Sequence, residues 1–327
     1  MGEFDLIERY FKRPTQKAAL GVGDDCALLN LTPGMQLAVS SDMLVEGRHF
    51  LSTVDAARLG HKALAVNLSD LAACGATPLA FTLALALPRA NATWLSGFSD
   101  GLLRLADAHG CELVGGDTTQ GPLNICITVF GEVPPGDALV RHNAQVGDDI
   151  YISGTVGDAR LALEVFRGTL ALDGAALEKA RLRMEQPTPR VALGQRLRRI
   201  ANAAIDVSDG LLGDLGHILK RSGVGAQIET HWLHTPQQFQ EQPAGMSPLL
   251  AALPWHKRLE FALAGGDDYE LCFTAPVDQR ELVHAAAWEC NTPITRIGRI
   301  TETPGLQVLD PQGQTITRRF VSFDHFA

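Results

Sequence analysis

Leu79, Phe81, Leu83, Leu85 and Leu87 are separated by the small residues Ala80, Thr82, Ala84 and Ala86. An apolar period of two predicts a strand with one bulky face. Asn124–Glu132 alternates in the same way, and Gln36–Ser41 reads as a short strand ending in Ser40-Ser41-Asp42. Between these strands the period lengthens. Trp94, Phe98, Leu102 and Leu105 fall at helical spacing, with Gly110 as the stop. Asp55 to Cys74 predicts a second helix, with Asp55 as N-cap and Gly75 just past the end. In the second half, Ala203–Val207 and Tyr269–Thr274 predict strands. Leu211, Leu212, Leu215, Ile218 and Leu219 form a helical apolar face, with Ser208 or Asp209 as its cap. Long connections and mixed element order predict α+β in both halves, not a parallel doubly wound sheet. The stretch from Pro134-Pro135-Gly136 to Gly147 is rich in turn residues and is the best boundary. The expected domains are therefore 1–136 and 147–327.

Composition narrows the class. A chain of 327 residues fits two domains, and 46% hydrophobic with 20% charged residues excludes a disordered or fibrous protein. The balance of 28 basic and 37 acidic residues, net −9, argues against a nucleic-acid or anionic-membrane surface. No apolar run approaches the ~18 residues of a membrane span. The N-terminus has no signal-peptide apolar region, and Leu6 breaks the myristoylation pattern. Six cysteines without a CxxC pair predict reduced, mostly buried thiols in a cytoplasmic protein.

The familiar nucleotide and hydrolase motifs are absent. There is no P-loop, Cys26 breaks the GxGxxG that Gly21-Val22-Gly23 begins, and no protein-kinase loop, HExxH or GxSxG occurs. What stands out instead is glycine beside aspartate: Gly23-Asp24-Asp25, Gly115-Gly116-Asp117, Gly147-Asp148-Asp149, Asp209-Gly210 and Gly265-Gly266-Asp267-Asp268. Asp70 lies in an otherwise apolar helix, three residues from Asn67 and so on the same face. Asp206 and Ser208 point to one side of a strand end, with Asp209 in the turn, and Gly116-Asp117-Thr118-Thr119 reads as a tight glycine turn. Helix capping explains one oxygen donor there, and a surface ion pair would explain Asp70 alone; neither explains the set. Two carboxylates about 4 Å apart repel by roughly 4 kcal/mol at an effective dielectric of 20. Converging aspartates therefore call for cations, and an all-oxygen donor set suits Mg²⁺ completed by phosphate. The residues alone predict a multi-metal, phosphate-handling site at the junction of the halves.

The motifs also carry a resemblance. Gly23-Asp24-Asp25-Cys26-Ala27, Ser41-Asp42 with Gly47-Arg48-His49-Phe50, and Ala65 to Ala73 with Gly75-Ala76 and Pro78 resemble the thiamine-monophosphate kinase family. So do Gly115 to Thr119, Ile205 to Leu211, Ala264 to Leu271 and the final Phe323-Asp324-His325-Phe326, which extends the likeness from Phe4 to Phe326. The resemblance implies the aminoimidazole-ribonucleotide-synthetase-like superfamily. It implies two α+β domains, the N-terminal one pairing across a homodimer into a β-barrel. The implied reaction is phosphorylation of thiamine monophosphate by ATP, giving thiamine diphosphate and ADP, with several Mg²⁺ ions. By motif, the metal ligands would be Asp25, Ser40, Ser41, Asp42, Asp70, Asp117, Asp206 and Asp209, and Asp42, Asp70, Asp117 and Asp209 would be catalytic. Gly116, Asp117, Arg141 and Ser208 would contact ATP. His49 would contact the substrate phosphate, and Asp267 and Phe323 would line the thiamine pocket. The family usually has Glu at position 267, so Asp267 shortens that acid by one methylene. The competing readings are another ATP-using enzyme of the superfamily, of selenophosphate- or purine-precursor-synthetase type, and a non-catalytic nucleotide- or metal-binding protein.

Overall fold

The structure is a computed structural model and describes residues 2–233 and 245–323. Asp324, His325 and Phe326 of the terminal motif lie outside the described residues. The chain folds into two compact units, one of 1–71 with 76–136 and one of 72–75 with 137–327.

The first unit contains α1 (Glu3–Tyr10) and a short ribbon of β1 (Ala18–Leu20) and β2 (Leu28–Leu29). Its main sheet has the order β3 (Gln36–Val45), β6 (Asn124–Val133), β4 (Thr77–Leu87), β5 (Glu112–Gln120). β4 and β5 are parallel, and the other neighbours are antiparallel. Two longer helices follow, α2 (Ala56–Ala73) and α3 (Ala92–His109). The period-two reading of β4 holds: Phe81, Leu83, Leu85 and Leu87 are buried. The first three sit level with Val129, Ile127 and Ile125 of β6, and side chains directly opposite share a face. That face is the core of the unit. The opposite face leaves Leu37, Val39 and Met43 of β3 exposed at 48%, 55% and 53%.

The helix ends follow the expected chemistry. Asp55 Oδ1 accepts from the amides of Ala57 and Arg58 at 2.9 and 3.2 Å, and Asn91 caps α3 through Thr93 and Trp94. Gly110 closes α3 in the left-handed region at φ 57°. The helices pack backbone to backbone. A Cβ on Gly60 would stand 2.0 Å from the Phe98 carbonyl oxygen, and one on Gly101 would stand 1.8 Å from that of Ala57.

Two expectations are corrected here. Ser40-Ser41-Asp42 does not end its strand, because Met43, Leu44 and Val45 continue β3 in register with Cys126, Ile125 and Asn124. Gly116-Asp117-Thr118-Thr119 is not a tight turn but the middle of β5.

The second unit has a six-stranded sheet. Its order is β12 (Gly305–Leu309), β9 (Gly225–Glu229), β11 (Ile294–Thr301), β7 (Asp149–Ser153), β10 (Leu271–Ala275), β8 (Ala203–Asp206). Only β9 and β12 run parallel. Its helices are α4 (Asp158–Phe166), α5 (Gly174–Glu185), α6 (Val191–Arg196), α7 (Leu211–Ser222), α8 (Pro248–Ala251), α9 (Trp255–Ala264) and α10 (Arg280–Glu289). β7, β8 and β10 are buried at every position. Tyr151 and Phe273, level across β7 and β10, stack at 5.2 Å.

Mixed sheets with helices make both units α+β. No described helix is long and apolar enough to cross a membrane. None of the six cysteines is in a disulfide, but only Cys111 and Cys272 are buried. Three are half-buried and Cys26 is exposed, so the expectation of mostly buried thiols fails. Burial pushes the Cys111 thiol up to about 12.

Candidate active site

In the first unit, one face of β3 meets α2. Asp42 lies level with Ile127, which lies level with Leu83, so Asp42 and Ser40 belong to the core face at the sheet's edge. Polar groups there need partners, and α2 supplies them. Ser40 Oγ donates to Asp70 Oδ2. The Asp42 amide donates to Asn67 Oδ1 at 3.1 Å, and Asn67 Nδ2 donates to the Ala63 carbonyl at 3.0 Å. Ser40, Asp42, Asn67 and Asp70 are thus one group, on two regular elements. Ser41 points to the opposite face, where its Oγ donates to the Ile127 carbonyl at 3.1 Å and pairs with Thr128 Oγ1 at 2.9 Å.

The other first-unit residues stand on other segments. Asp25 is exposed in the loop between β1 and β2. Asp117 is level with Ala84, Cys126 and Met43, at the opposite edge of the sheet from Asp42. Three strand spacings put about 14 Å between those edge backbones. Gly116 allows the close approach of β4: at φ 146°, a Cβ there would stand 1.8 Å from the Leu83 carbonyl oxygen. His49 follows β3 in a turn, where its Nδ1 accepts from the Val45 amide at 3.0 Å. That bond assigns the ring proton of the neutral tautomer to Nε2. Buried Lys62 fixes the same turn by donating to the His49 carbonyl at 3.1 Å.

In the second unit, the turn 206–210 joins β8 to α7. Three main-chain bonds gather separate segments around it. The Asp267 amide donates to the Ser208 carbonyl at 2.7 Å, Tyr269 to Val207 at 2.9 Å, and Phe323 to Asp209 at 3.0 Å. Ser208, Asp209, Asp267 and Phe323 are therefore assembled at one place. Asp206, almost fully buried, ends β8 beneath it. Arg141 is elsewhere: its carbonyl accepts from Ser222 Oγ at the far end of α7. About 18 Å of helix separates that end from the turn.

Neither Ser208 nor Asp209 caps α7, whose N-cap is Gly210 with no side-chain bond. Asp214 does the work from inside the helix. Its Oδ2 accepts from the amides of Ser208, Asp209 and Gly210 at 3.1, 3.1 and 3.0 Å. Burial and the charge of Asp209 push the Asp214 carboxyl up to about 7, against the pull of the three amides. An acid four residues after Ser-Asp-Gly was the available signal, and it was missed.

Asp268 and Glu270 were also missed as supports. Glu270 is fully buried, and takes Arg183 Nη2 at 2.7 Å, Arg190 Nε and Nη2 at 2.6 Å each, and Ser153 Oγ at 2.6 Å. Burial alone would raise it, but the two arginines and Ser153 hold it below the usual carboxylate range. Asp268 Oδ2 accepts from the Gly157 amide at 2.7 Å, while its buried Oδ1 has no hydrogen-bond partner. Burial holds Asp268 well above the usual range, with the Gly157 bond and Arg183 opposing. The Gly147-Asp148-Asp149 acids secure the sheet instead: Asp148 takes Thr274 Oγ1 and Asn202 Nδ2, and Asp149 takes Arg280 and Arg296.

The donors fit Mg²⁺ in kind: both groups offer hard oxygen atoms and no sulfur. Among the described residues, no three His, Cys, Asp or Glu side chains gather closely enough to hold a metal ion by themselves. Small sets of carboxylates are what Mg²⁺ uses when phosphate and water complete its shell.

Two family models cover most of the chain: AIR synthase related protein, N-terminal domain, over residues 23–133, and the C-terminal domain over 145–310. The fold and these matches define a two-domain protein of the AIR-synthase-related class. Thiamine-monophosphate kinase of Escherichia coli K12 is 45% identical over 100% of this chain and 98% of its own length. The crystal structure of thiamine-monophosphate kinase from Stenotrophomonas maltophilia K279a superposes with a TM-score of 0.83 at 45% identity, covering 96% of each chain. AaThiL, solved complexed with AMPPCP and TMP, superposes with a TM-score of 0.75 at 28% identity, covering 91% of this chain and 89% of that one. The chain belongs to the thiamine-monophosphate kinase family.

Proposed function

We propose that this protein transfers the terminal phosphoryl group of ATP to thiamine monophosphate, giving thiamine diphosphate and ADP. Family membership supports the reaction. The observation that carries it is the turn at 206–210, where main-chain bonds bring Ser208 and Asp209 together with Asp267 and Phe323. A phosphate-side acid and two groups suited to a thiamine cation thus share one place.

The acceptor is a phosphate monoester with a second pKa near 6, so at pH 7 it is already largely a dianion. It needs no general base. The obstacle is the repulsion between two polyanions. Bound Mg²⁺ would supply charge neutralisation at the phosphate oxygens. Several such ions would be shared among Asp25, Ser40, Ser41, Asp42, Asp70, Asp117, Asp206 and Asp209, with Asp42, Asp70, Asp117 and Asp209 the catalytic set. Gly116, Asp117, Arg141 and Ser208 would orient ATP. His49, with its proton on Nε2, would donate to the acceptor phosphate. Asp267 offers a negative charge to the thiazolium, and Phe323 an aromatic face. Transfer is direct and in line, without a phosphorylated protein intermediate; trapping one during turnover would refute that step.

The first domain, 1–136, is assigned metal and nucleotide binding and dimerisation. The second, 147–327, supplies further ATP and substrate contacts. Exposed Leu37, Val39 and Met43 support a homodimer that covers this sheet face, consistent with a paired β-barrel. The protein is assigned to the cytoplasm, with no nucleic-acid or membrane partner.

The test is a substrate panel. Incubation with Mg-ATP and thiamine monophosphate, thiamine, selenide or the purine precursor should give thiamine diphosphate from the first alone. Product from selenide or the purine precursor would favour a sister enzyme. No product from any would favour a binding protein.

A further inference from the structure

Two residues of the 267–270 segment have unusual backbones. Asp267 has φ 74° and Tyr269 has φ 52°. For a bulky aromatic residue the left-handed region is a genuine outlier, and such outliers persist only where the surroundings enforce them. Here the enforcement is visible. Buried Asp268 is tied to the Gly157 amide, and fully buried Glu270 to Arg183, Arg190 and Ser153. Main-chain bonds on both sides, Tyr269 to Val207 at 2.9 Å and Val207 to Glu270 at 2.7 Å, clamp the segment to the 206–210 turn. Buried anchors thus alternate with the half-buried Asp267 and Tyr269. The anchors hold two partly accessible side chains in a conformation that neither prefers.

We propose that Tyr269 is a specificity-determining residue of the substrate site, its ring facing the planar cationic heterocycle of thiamine monophosphate. This rests on the kinase reading above. Asp267 is two residues away, and Phe323 is bonded to the same turn through Asp209. One carboxylate and two aromatic rings are the chemistry that selects a flat organic cation. A purely structural Tyr269 would make a different demand, since glycine meets the backbone requirement at φ 52° without strain.

The experiment is steady-state kinetics of the full-length Tyr269→Phe, Tyr269→Leu and Tyr269→Gly variants, varying thiamine monophosphate and ATP in turn. Tyr269→Phe should keep the wild-type KM for thiamine monophosphate within about threefold, because the ring face remains. Tyr269→Leu and Tyr269→Gly should raise it about tenfold, with the KM for ATP within about twofold of wild type. A wild-type KM for thiamine monophosphate in the Leu or Gly variant would overturn the inference, as would equal losses in the Phe and Leu variants. Either result in an otherwise active enzyme leaves the kinase reading intact. A wild-type protein that neither binds nor phosphorylates thiamine monophosphate overturns both.

Discussion

Two kinds of carboxylate buried in the second unit stand in contrast. Asp149 and Glu270 are each met by two arginines and sit below the usual carboxylate range. Asp214 and Asp268 are met by backbone amides and sit above it. The first kind joins strands and helices that are distant in sequence. The second kind lies under the turns that carry Asp209 and Asp267. Full neutralisation marks scaffolding. A buried acid met only by amides marks a loop whose shape matters more than its stability.

Breaking the scaffold should have the largest effect. Glu270→Gln leaves Arg183 and Arg190 without their buried counter-charge. The free energy of unfolding should fall by about 3–5 kcal/mol, read from urea denaturation. A loss below about 1 kcal/mol would erase the distinction between the two kinds of acid. Asp214→Asn acts on the other kind. Turnover should fall about 10- to 100-fold while stability stays within about 1 kcal/mol, because the turn loosens and the core does not. Unchanged turnover would mean that the 208–210 amides hold their shape unaided.

The smallest effect is at Arg280. For Asp149, burial raises the pKa, but the hydrogen bonds and charges of Arg280 and Arg296 outweigh it, so the folded value lies below the unfolded 3.8. Its stabilisation is complete above the unfolded value and is lost as pH falls through the folded one. Arg280→Ala leaves Asp149 with Arg296 and the Tyr151 hydroxyl, so stability at pH 7 should drop by about 1 kcal/mol. The acid-side fall of the unfolding midpoint below about pH 4 should become shallower. An unchanged acid profile would show that Arg296 suffices.

The regular elements were legible where periodicity speaks. β4 and α3 appear at their expected places because one buried face dictates their spacing, and α2, buried all round from Lys62 to Ser69, lies between Asp55 and Gly75, the two residues expected to bound it. The strand carrying Asp42 was read too short, since an acid after two serines resembles a strand end. On an edge strand the core face carries polar residues as well, because α2 meets them: Asn67 takes the Asp42 amide and Asp70 takes the Ser40 hydroxyl. The glycine pair at 115–116 was read as a turn, yet Gly116 stays in β5 because a missing Cβ admits the Leu83 carbonyl. Metal-site candidates were visible as residue types, but their supports were not. Glu270 finds Arg190, Arg183 and Ser153 at separations of 80, 87 and 117 residues. No local pattern encodes such pairs. Asp214 was the exception, a local signal passed over because the hydrogen bonds run backward from the helix.

The central claim is that the turn at Asp209 serves phosphoryl transfer onto thiamine monophosphate. Its most direct test is thiamine diphosphate formation from Mg-ATP by wild type and Asp209→Asn, with unfolding midpoints measured alongside. Wild type should form the product, and the variant should fold normally yet turn over more than about 100-fold more slowly. A variant with full activity, or a folded wild type that makes no thiamine diphosphate, would contradict the account.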